Sequence, residues 1–158
     1  MDQPDVVSVR ITQERPDSAD AVRLITELEA VLEPLYPRES RHGLSVEQLI
    51  AEDVAFFVLR TAAVPAGCGG VQLFSTDYGE VKRMYVRPQY RGAGFGRMLL
   101  EHLASYARDH GVRLLRLETG IHQREAIRLY EHLGFRRIPP FGPYTTDQLS
   151  LCYELVLG

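Results

Sequence analysis

A glycine-rich segment between two apolar stretches has the residue types and the spacing of an anion-binding turn. It runs from Gln89 to Gly96 as Gln-Tyr-Arg-Gly-Ala-Gly-Phe-Gly, after the apolar run Val81–Val86 and before the amphipathic stretch Phe95–His110. Glycine lets the backbone approach a ligand closely, and the first turn of a helix offers unpaired N–H groups at the positive end of its dipole. The order strand, glycine turn, helix therefore predicts a site for a phosphate group.

The charge around this turn supports the same prediction. Between Glu80 and Leu100 five cations accompany one anion, a net charge of +4, in a chain whose net charge is −3. The turn lacks the Gly-Lys-Ser/Thr of a Walker A loop. Its spacing, Gly92-x-Gly94-x-Gly96, also differs from the Gly-x-Gly-x-x-Gly of dinucleotide-binding loops. A tight strand-to-helix turn that binds no ligand is the alternative left open by this motif alone.

The glycine turn and a segment downstream together resemble two motifs of the GNAT superfamily, the GCN5-related N-acetyltransferases. The turn is similar to motif A, Arg/Gln-x-x-Gly-x-Gly/Ala, at Gln89, Gly92 and Gly94. The segment from Gln123 to Phe135 resembles motif B, Asn-x-x-Ala-x-x-x-Tyr-x-x-x-Gly-Phe, with Gln123 in the place of the asparagine. The resemblance implies an N-acetyltransferase that uses acetyl-CoA as its donor.

The resemblance also implies which residues bind the donor. Backbone N–H groups from Arg91 to Gly96 would hold the pyrophosphate, and free backbone groups around Met84 and Val86 would hold the acetyl and pantetheine portions. The predicted donor-binding residues are Met84, Tyr85, Val86, Gln89, Arg91, Gly92, Ala93, Gly94, Phe95, Gly96, Gln123 and Ala126.

Acetyl transfer from a thioester to an amine calls for a base at the amine and an acid at the departing thiolate. Tyr130 is the predicted acid, because a phenol is protonated at neutral pH and GNAT enzymes carry such a tyrosine at this position of the motif. Its alternative role is core packing on the same helical face as Leu133. Glu80 and Glu118, at strand ends, are the candidate bases, with solvated surface charges as their alternative. Several GNAT enzymes have a carboxylate near the position of Lys82, which is a cation here, so a water relay is also considered.

In GNAT enzymes the region between the first two helices often borders the acceptor pocket, so the resemblance implies that the segment after the first helix lies on the acceptor side. Arg41 and His42 are placed to meet a carboxylate of the substrate, and Tyr144 with Phe141 is expected to line the same pocket. An ordinary polar loop and a cap on the core are the respective alternatives. The five histidines show no metal-binding spacing such as His-x-x-x-His, so no metal is expected.

The hydrophobic pattern predicts the elements that position these residues. A Pro65-Ala66-Gly67 turn is expected between the second and third strands, and Ser45 begins a helix with a capping box. The predicted elements are strand Val7–Ile11, helix Asp20–Leu32, a short helix from Ser45 to Ala51, strands Val54–Thr61, Gly67–Phe74 and Glu80–Val86, helix Phe95–His110, strand Val112–Leu117, helix Arg124–Leu133, and strands Phe135–Ile138 and Leu149–Leu157. The order β-αα-βββ-α-β-α-ββ describes an α/β fold in which a mixed sheet has helices on both faces, as in the GNAT fold.

The composition limits the remaining choices. A length of 158 residues with 45% apolar content suits a single domain, residues 1–158. No apolar run reaches the ~20 residues of a membrane span, and the start Met1–Asp5 lacks signal-peptide character, so a cytoplasmic protein is expected. Cys68 and Cys152 are expected to be buried thiols, and the balanced charge argues against a nucleic-acid partner.

We expect a small-molecule amine as acceptor, with a protein or peptide acceptor or a non-catalytic CoA-binding module as alternatives, and the resemblance implies a homodimer.

Overall fold

Seven strands form one mixed sheet within residues 8–158, the part of the chain that the computed structural model describes. The strand order across the sheet is β1-β2-β3-β4-β5-β7-β6, in which β4 and β5 are parallel and all other neighbours are antiparallel. The elements are β1 (Val9–Glu14), α1 (Ala19–Leu32), α2 (Val46–Ala51), β2 (Ala55–Thr61), β3 (Val64–Phe74), β4 (Tyr78–Val86), α3 (Phe95–Asp109), β5 (Leu114–Gly120), α4 (Arg124–His132), β6 (Arg136–Ile138) and β7 (Ser150–Val156). Their order is the predicted one, and the predicted mixed α/β fold is confirmed.

The helices cover both faces of the sheet, because each presents one apolar stripe to it. On one face, α1 buries Leu24 and Leu28 against Phe56 of β2. On the other face, α3 buries Leu103 in a cluster that also holds Tyr130 of α4. The predicted capping box of α2 is present, since Ser45 Oγ accepts from the Gln48 N–H and the Gln48 side chain accepts from the Ser45 N–H.

The sheet opens between its two parallel strands. Only Gly79–Leu115 and Glu80–Arg116 pair β4 with β5, although both strands continue beyond these residues. The register of β4 against β3 also shifts between Cys68 and Gly70, and Arg83 in this bulge has a φ of +52°. The divergence leaves a gap at the carboxyl end of β4, which is where ligands bind in open sheets that contain parallel strands.

Several predicted boundaries are wrong, among them the ends of the first and fifth strands, which run on to Glu14 and Gly120. The turn between β2 and β3 is formed by Ala62 and Ala63, with φ of +49° and +67°, and β3 begins at Val64, so the predicted turn residues Pro65 to Gly67 lie inside the strand. The fifth strand begins at Leu114 because Val112 donates its N–H to the Ala107 carbonyl and packs at the end of α3.

Three further sequence predictions have different outcomes. The predicted first strand included Val7, which lies outside the described residues together with the segment Met1–Asp5. Cys68 and Cys152 are free and buried, as expected. None of the described helices is both long enough and apolar enough to cross a membrane.

Candidate active site

Two cavities adjoin in the gap between β4 and β5. The larger, here termed the glycine-turn groove, has a volume of about 670 Å³ and is bounded by Val31 and Leu35 on one side and by the glycine turn and α4 on the other. The smaller, the polar pocket, has a volume of about 90 Å³ and includes Arg41, His42, Glu80, Lys82, Glu118 and Tyr144 in its lining. Leu28, Met84, Gln123 and Tyr130 line both cavities. A ligand in the groove and a ligand in the pocket would therefore meet beside these four residues.

The glycine turn presents a row of free backbone donors to the groove. Gly92 and Gly94 have φ of +86° and +84°, and a Cβ built on either would meet nothing within 4 Å. Among the described residues, no backbone N–H from Gly92 to Arg97 donates to a protein acceptor. Since the first N–H groups of α3 are among them, the turn has the donors that an anionic phosphate requires. The N–H of Arg91 was predicted to belong to this row, but it donates to the Pro88 carbonyl at 3.3 Å.

Most predicted donor-binding residues line the groove. Met84, Tyr85 and Val86 contribute from β4, and Ala126 and Gln123 contribute from the start of α4. The groove is also lined by Arg91, Gly92, Gly94, Phe95 and Gly96. Ala93 and Gln89, which is exposed, do not line either cavity.

Local hydrogen bonds already use two of these groups. The Val86 carbonyl, predicted to be free for the donor, accepts from Arg91 Nε at 3.1 Å. The side chain of Gln123 accepts from the Gly120 N–H at 2.9 Å and so fixes the turn between β5 and α4. These two residues therefore shape the groove through internal contacts.

The charge near the glycine turn is balanced in the folded protein. Each of the five cations has a carboxylate partner: Lys82 with Glu80, Arg83 with Glu29, Arg87 with Glu27, Arg91 with Glu125 and Arg97 with Glu101. The net charge of +4 counted along the sequence is therefore offset in the fold, because four of the five partners come from outside the window. The Arg91 and Arg97 pairs are solvent-exposed, so they contribute little stability and can exchange partners with a ligand.

One carboxylate oxygen of Glu80 contacts two other protein groups. Its Oε2 accepts from the Tyr144 hydroxyl at 2.6 Å and forms an ion pair with Lys82 Nζ at 2.6 Å. Lys82 Nζ also donates to the Tyr144 hydroxyl at 3.2 Å, which closes a triangle of three buried polar groups. This carboxylate is buried, with 3% of its surface exposed, and burial together with the neighbouring Glu80 raises the pKa of Tyr144.

Glu118 faces the same pocket with a different set of neighbours. The Ser150 hydroxyl donates to Glu118 Oε1 at 3.1 Å, and no described cation forms an ion pair with this carboxylate. Burial raises the pKa of Glu118 to about 7; His42 and the hydrogen bond from Ser150 lower this pKa by smaller amounts, and the nearby Asp147 and Glu80 raise it further. A carboxylate with a pKa near neutrality can both accept and release a proton under physiological conditions.

Tyr130 lies at the junction of the two cavities. Its ring is buried in the core and packs against Phe135 with the ring centroids 5.7 Å apart. Among the described residues its hydroxyl has no hydrogen-bond partner, and burial, then the charge of Glu118, raises the pKa of this phenol above its ordinary value. The residue therefore combines both roles considered from the sequence: its ring packs in the core, and its hydroxyl stays protonated beside the cavities.

Arg41 and His42 line the polar pocket, and a single carboxylate holds the segment that carries them. Asp147 Oδ2 contacts His42 Nε2 at 2.6 Å, and Asp147 Oδ1 accepts from the Ser40 hydroxyl at 3.2 Å. The ring of His42 also packs edge-on against Tyr144, with the centroids 5.0 Å apart. Arg41, His42 and Tyr144 therefore lie together as predicted, whereas the prediction that Phe141 lines the same pocket is wrong.

Several lining residues were missed by the sequence analysis. Tyr36 is buried, lines the polar pocket and accepts from the His122 N–H at 2.9 Å. Its hydroxyl lies 2.0 Å from where a Cβ on Gly120 would be, so only glycine fits there without a shift. Lys82 and Asp147 shape the pocket through partners more than sixty residues away, which no local pattern indicates. Arg124 lines the groove, and its place next to Gln123 in the second motif was the one available signal.

Comparisons with known proteins give a consistent result. The sequence model of the acetyltransferase (GNAT) family matches residues 22–135. The chain is 44% identical over 148 residues to the "IAA acetyltransferase" of Azospirillum brasilense, an alignment that spans 93% of this chain and 97% of that protein.

Two solved structures extend the likeness to the fold. A crystal structure assigned as an acyl-CoA N-acyltransferase from Klebsiella pneumoniae superposes with a TM-score of 0.81 at 36% identity, covering 95% of this chain and 98% of that chain. A second structure, from Elizabethkingia anophelis and with acetyl-CoA bound, has a TM-score of 0.71 at 14% identity, covering 94% and 97% of the two chains. At that identity the second likeness concerns the fold alone.

Proposed function

The chain belongs to the acetyltransferase (GNAT) family and is an acetyl-CoA-dependent N-acetyltransferase, and from that premise we propose that it acetylates the primary amine of a small molecule by direct transfer within a ternary complex. The observation that carries the proposal is the junction of the two cavities. A groove suited to the donor and a small polar pocket share Tyr130, and Glu118 lines the pocket next to it.

The glycine-turn groove fits acetyl-CoA in both its polar and its apolar parts. The unpartnered N–H groups from Gly92 to Arg97 suit the pyrophosphate, and the half-exposed Val31 and Leu35 offer an apolar wall for the pantetheine arm. The donor supplies an acetyl group activated as a thioester. The Elizabethkingia anophelis relative, which has this fold, binds acetyl-CoA, and this supports the same donor here.

Glu118 is the base in this proposal. An amine must lose a proton to become a nucleophile, and a carboxylate with a pKa of about 7 accepts that proton at neutral pH and then passes it to solvent. Glu80, the second carboxylate predicted from the sequence, already accepts from Tyr144 and Lys82. We assign it the role of holding those two side chains against the pocket.

Tyr130 is the acid in this proposal. As the carbon–sulfur bond breaks, its hydroxyl donates a proton to the departing thiolate, and the resulting phenolate takes up the proton that the new amide nitrogen loses. Proton balance is then complete without another protein group. Its raised pKa keeps the phenol protonated at neutral pH until the thiolate forms beside it, and the proton from the amide nitrogen returns the tyrosine to its neutral form.

Two observations favour direct transfer to a small acceptor. Neither Cys68 nor Cys152 lines either cavity, so no described thiol is placed to carry an acetyl group between donor and acceptor. The polar pocket is small, about 90 Å³, and Tyr36 walls it on one side. A peptide acceptor would have to insert its terminal residue past these groups, so we propose a small molecule.

A screen that follows release of free thiol from acetyl-CoA tests the proposal. The acceptor panel contains small amines, free amino acids and peptides with free N-termini, and the acetylated products are identified by mass. We expect turnover with members of the small-molecule sets. Turnover confined to peptides would overturn the small-molecule acceptor, and thiol release without any acetylated amine would overturn transfer to nitrogen.

A further inference from the structure

The polar pocket contains one cationic side chain that the protein leaves without a counter-ion. Four side chains that can carry positive charge line it, and three of them have acidic partners: Lys82 with Glu80, Arg83 with Glu29 and His42 with Asp147. Arg41 is the fourth. Within residues 8–158 its guanidinium forms neither an ion pair nor a hydrogen bond, and its Nε is buried without a partner.

A buried donor without an acceptor is costly, so it marks a place where a ligand completes the structure. Leaving such a group unsatisfied costs more for a charged group than for a neutral one. A guanidinium has a planar array of donors that matches a carboxylate with two parallel hydrogen bonds. A carboxylate on the bound molecule would therefore best supply the hydrogen-bond acceptors that the guanidinium of Arg41 lacks.

The backbone position of Arg41 is fixed on both sides. Asp147 accepts from the Ser40 hydroxyl before it and contacts His42 Nε2 after it, at 3.2 Å and 2.6 Å. The carboxylate of Asp147 is itself oriented by the Leu149 N–H, which donates to it at 2.9 Å. A segment anchored at both neighbours of Arg41 is suited to hold this side chain against the pocket.

The pocket also holds the complementary unpaired charge. Glu118 accepts a hydrogen bond from Ser150 but has no described cation as a partner. A molecule with one carboxylate and one ammonium group would pair with Arg41 and Glu118 at the same time, and its ammonium nitrogen would lie beside the base. The carboxylate of a free amino acid meets this requirement, whereas the N-terminus of a peptide has an amide in its place.

We infer that the acceptor is a small amino acid, a primary amine that also carries a carboxylate, bound by Arg41 through the carboxylate and by Glu118 through the ammonium group. The inference rests on the proposed function of the same site, because it specifies the acceptor of that reaction. Arg41 is a specificity-determining residue in this assignment, since it contacts the substrate away from the reacting nitrogen.

Matched acceptors and two arginine variants of the full-length chain test the inference. The acceptors are amino acids and their primary amides, which keep the amine and lose the carboxylate. Arg41→Gln removes the unpaired guanidinium, and Arg38→Gln removes an exposed one three residues earlier that lines neither cavity. We expect the wild type and Arg38→Gln to prefer each acid over its amide. In Arg41→Gln the KM for the acid should rise about 10–100-fold, and the preference for the acid over its amide should be lost. Arg41→Lys should recover part of the preference.

A binding measurement separates this inference from the proposed function. Thermal unfolding is followed with CoA and each amino acid present, for the wild type and for Arg41→Gln. If the wild type acetylates amines without preferring the acids, or if Arg41→Gln lowers turnover of acid and amide equally, the amino-acid assignment is wrong and the acetyltransfer stands. If no amine is acetylated while amino acids stabilise the wild type but not Arg41→Gln, the assignment stands and the proposed reaction is wrong. If no amine is acetylated and amino acids do not stabilise the wild type, both are wrong.

Discussion

Replacing Glu118 by glutamine should stabilise the protein while it abolishes most turnover. The carboxylate has a folded-state pKa of about 7, against an ordinary value of 4.5, because it is buried. Between these two values the folded protein keeps a proton that the unfolded chain loses, so the free energy of unfolding falls as the pH rises and then stays constant above pH 7. Each unit of pKa shift corresponds to about 1.4 kcal/mol, so ionised Glu118 costs the fold about 3 kcal/mol.

Glutamine has nearly the same shape, keeps an oxygen to accept from Ser150 and never ionises. The stability of Glu118→Gln relative to the wild type should therefore grow by about 2–3 kcal/mol between pH 5 and pH 8. For a chain of this length, 3 kcal/mol corresponds to about 6–12 °C in Tm. The turnover of Glu118→Gln should be lower than that of the wild type by a factor of about 10²–10⁴, the usual contribution of a positioned base.

Calorimetric or fluorescence melting at several pH values measures the stability, and thiol release measures the turnover. Glu101→Gln is the matched control, because Glu101 is an exposed carboxylate of α3, with 61% of its side chain accessible and only Arg97 as a partner. The charged groups nearest to Glu118 are His42, Asp147 and Glu80, and all three are present in the wild type and in the variant, so the difference between the two proteins reports the loss of Glu118 and of its effect on these neighbours. A stability difference that does not change with pH would refute the raised pKa, and a variant with wild-type turnover would refute the assignment of the base.

Three further predictions concern the donor groove and the acid. Acetyl-CoA at 100 times its Kd should stabilise the fold by about 2.7 kcal/mol, seen as a rise in Tm that is smaller with dephosphorylated pantetheine. Gly94→Val should lose CoA binding in calorimetry, because the valine side chain would occupy the open space in front of the free N–H groups. The control for backbone strain is Gly111→Val, because Gly111 at the end of α3 has a similar positive φ of +79°. Tyr130→Phe should lower turnover by about 10²–10⁴-fold and leave Tm nearly unchanged, because its hydroxyl has no hydrogen-bond partner among the described residues.

Each of these predictions has an outcome that contradicts it. No thermal shift at millimolar acetyl-CoA would argue against the donor site itself. Near-normal CoA affinity in a folded Gly94→Val protein would mean that the pyrophosphate is held elsewhere. A loss of stability in Tyr130→Phe with normal turnover per folded molecule would leave this tyrosine with the packing role alone.

The order of the elements was predictable because it is encoded locally. Apolar spacing predicted α1, α3 and α4, and the capping box at Ser45 marked the beginning of α2 correctly. The turn at Ala62 and Ala63 was missed, since alanine carries no turn signal and the strand pairing on either side forces its positive φ. Local pattern therefore located the strands and helices, and tertiary pairing decided some of their ends.

Which residues form the site was largely predictable, whereas the pairing of their charged groups was not. Glu80 and Glu118 were equivalent in the sequence, and what distinguishes them are the partners Tyr144 and Ser150, which come from distant segments. Arg41 and His42 were also equivalent until Asp147 proved to engage only the histidine. The single domain, the cytoplasmic location and the homodimer stay predictions.

The contact of Asp147 with His42 joins parts of the chain that are 105 residues apart in sequence. The glycine-turn groove, in contrast, takes most of its lining from one continuous stretch between Met84 and Tyr130. The donor half can therefore be retained as one block of sequence while residues of the acceptor half change. A change at His42 or at Asp147 breaks their contact unless the other residue changes to match it. Asp147 also lies beyond residue 135, where the match to the family ends. Relatives that share the donor half can for this reason differ in the amine that they acetylate, and the pair at positions 42 and 147 is the place to compare them.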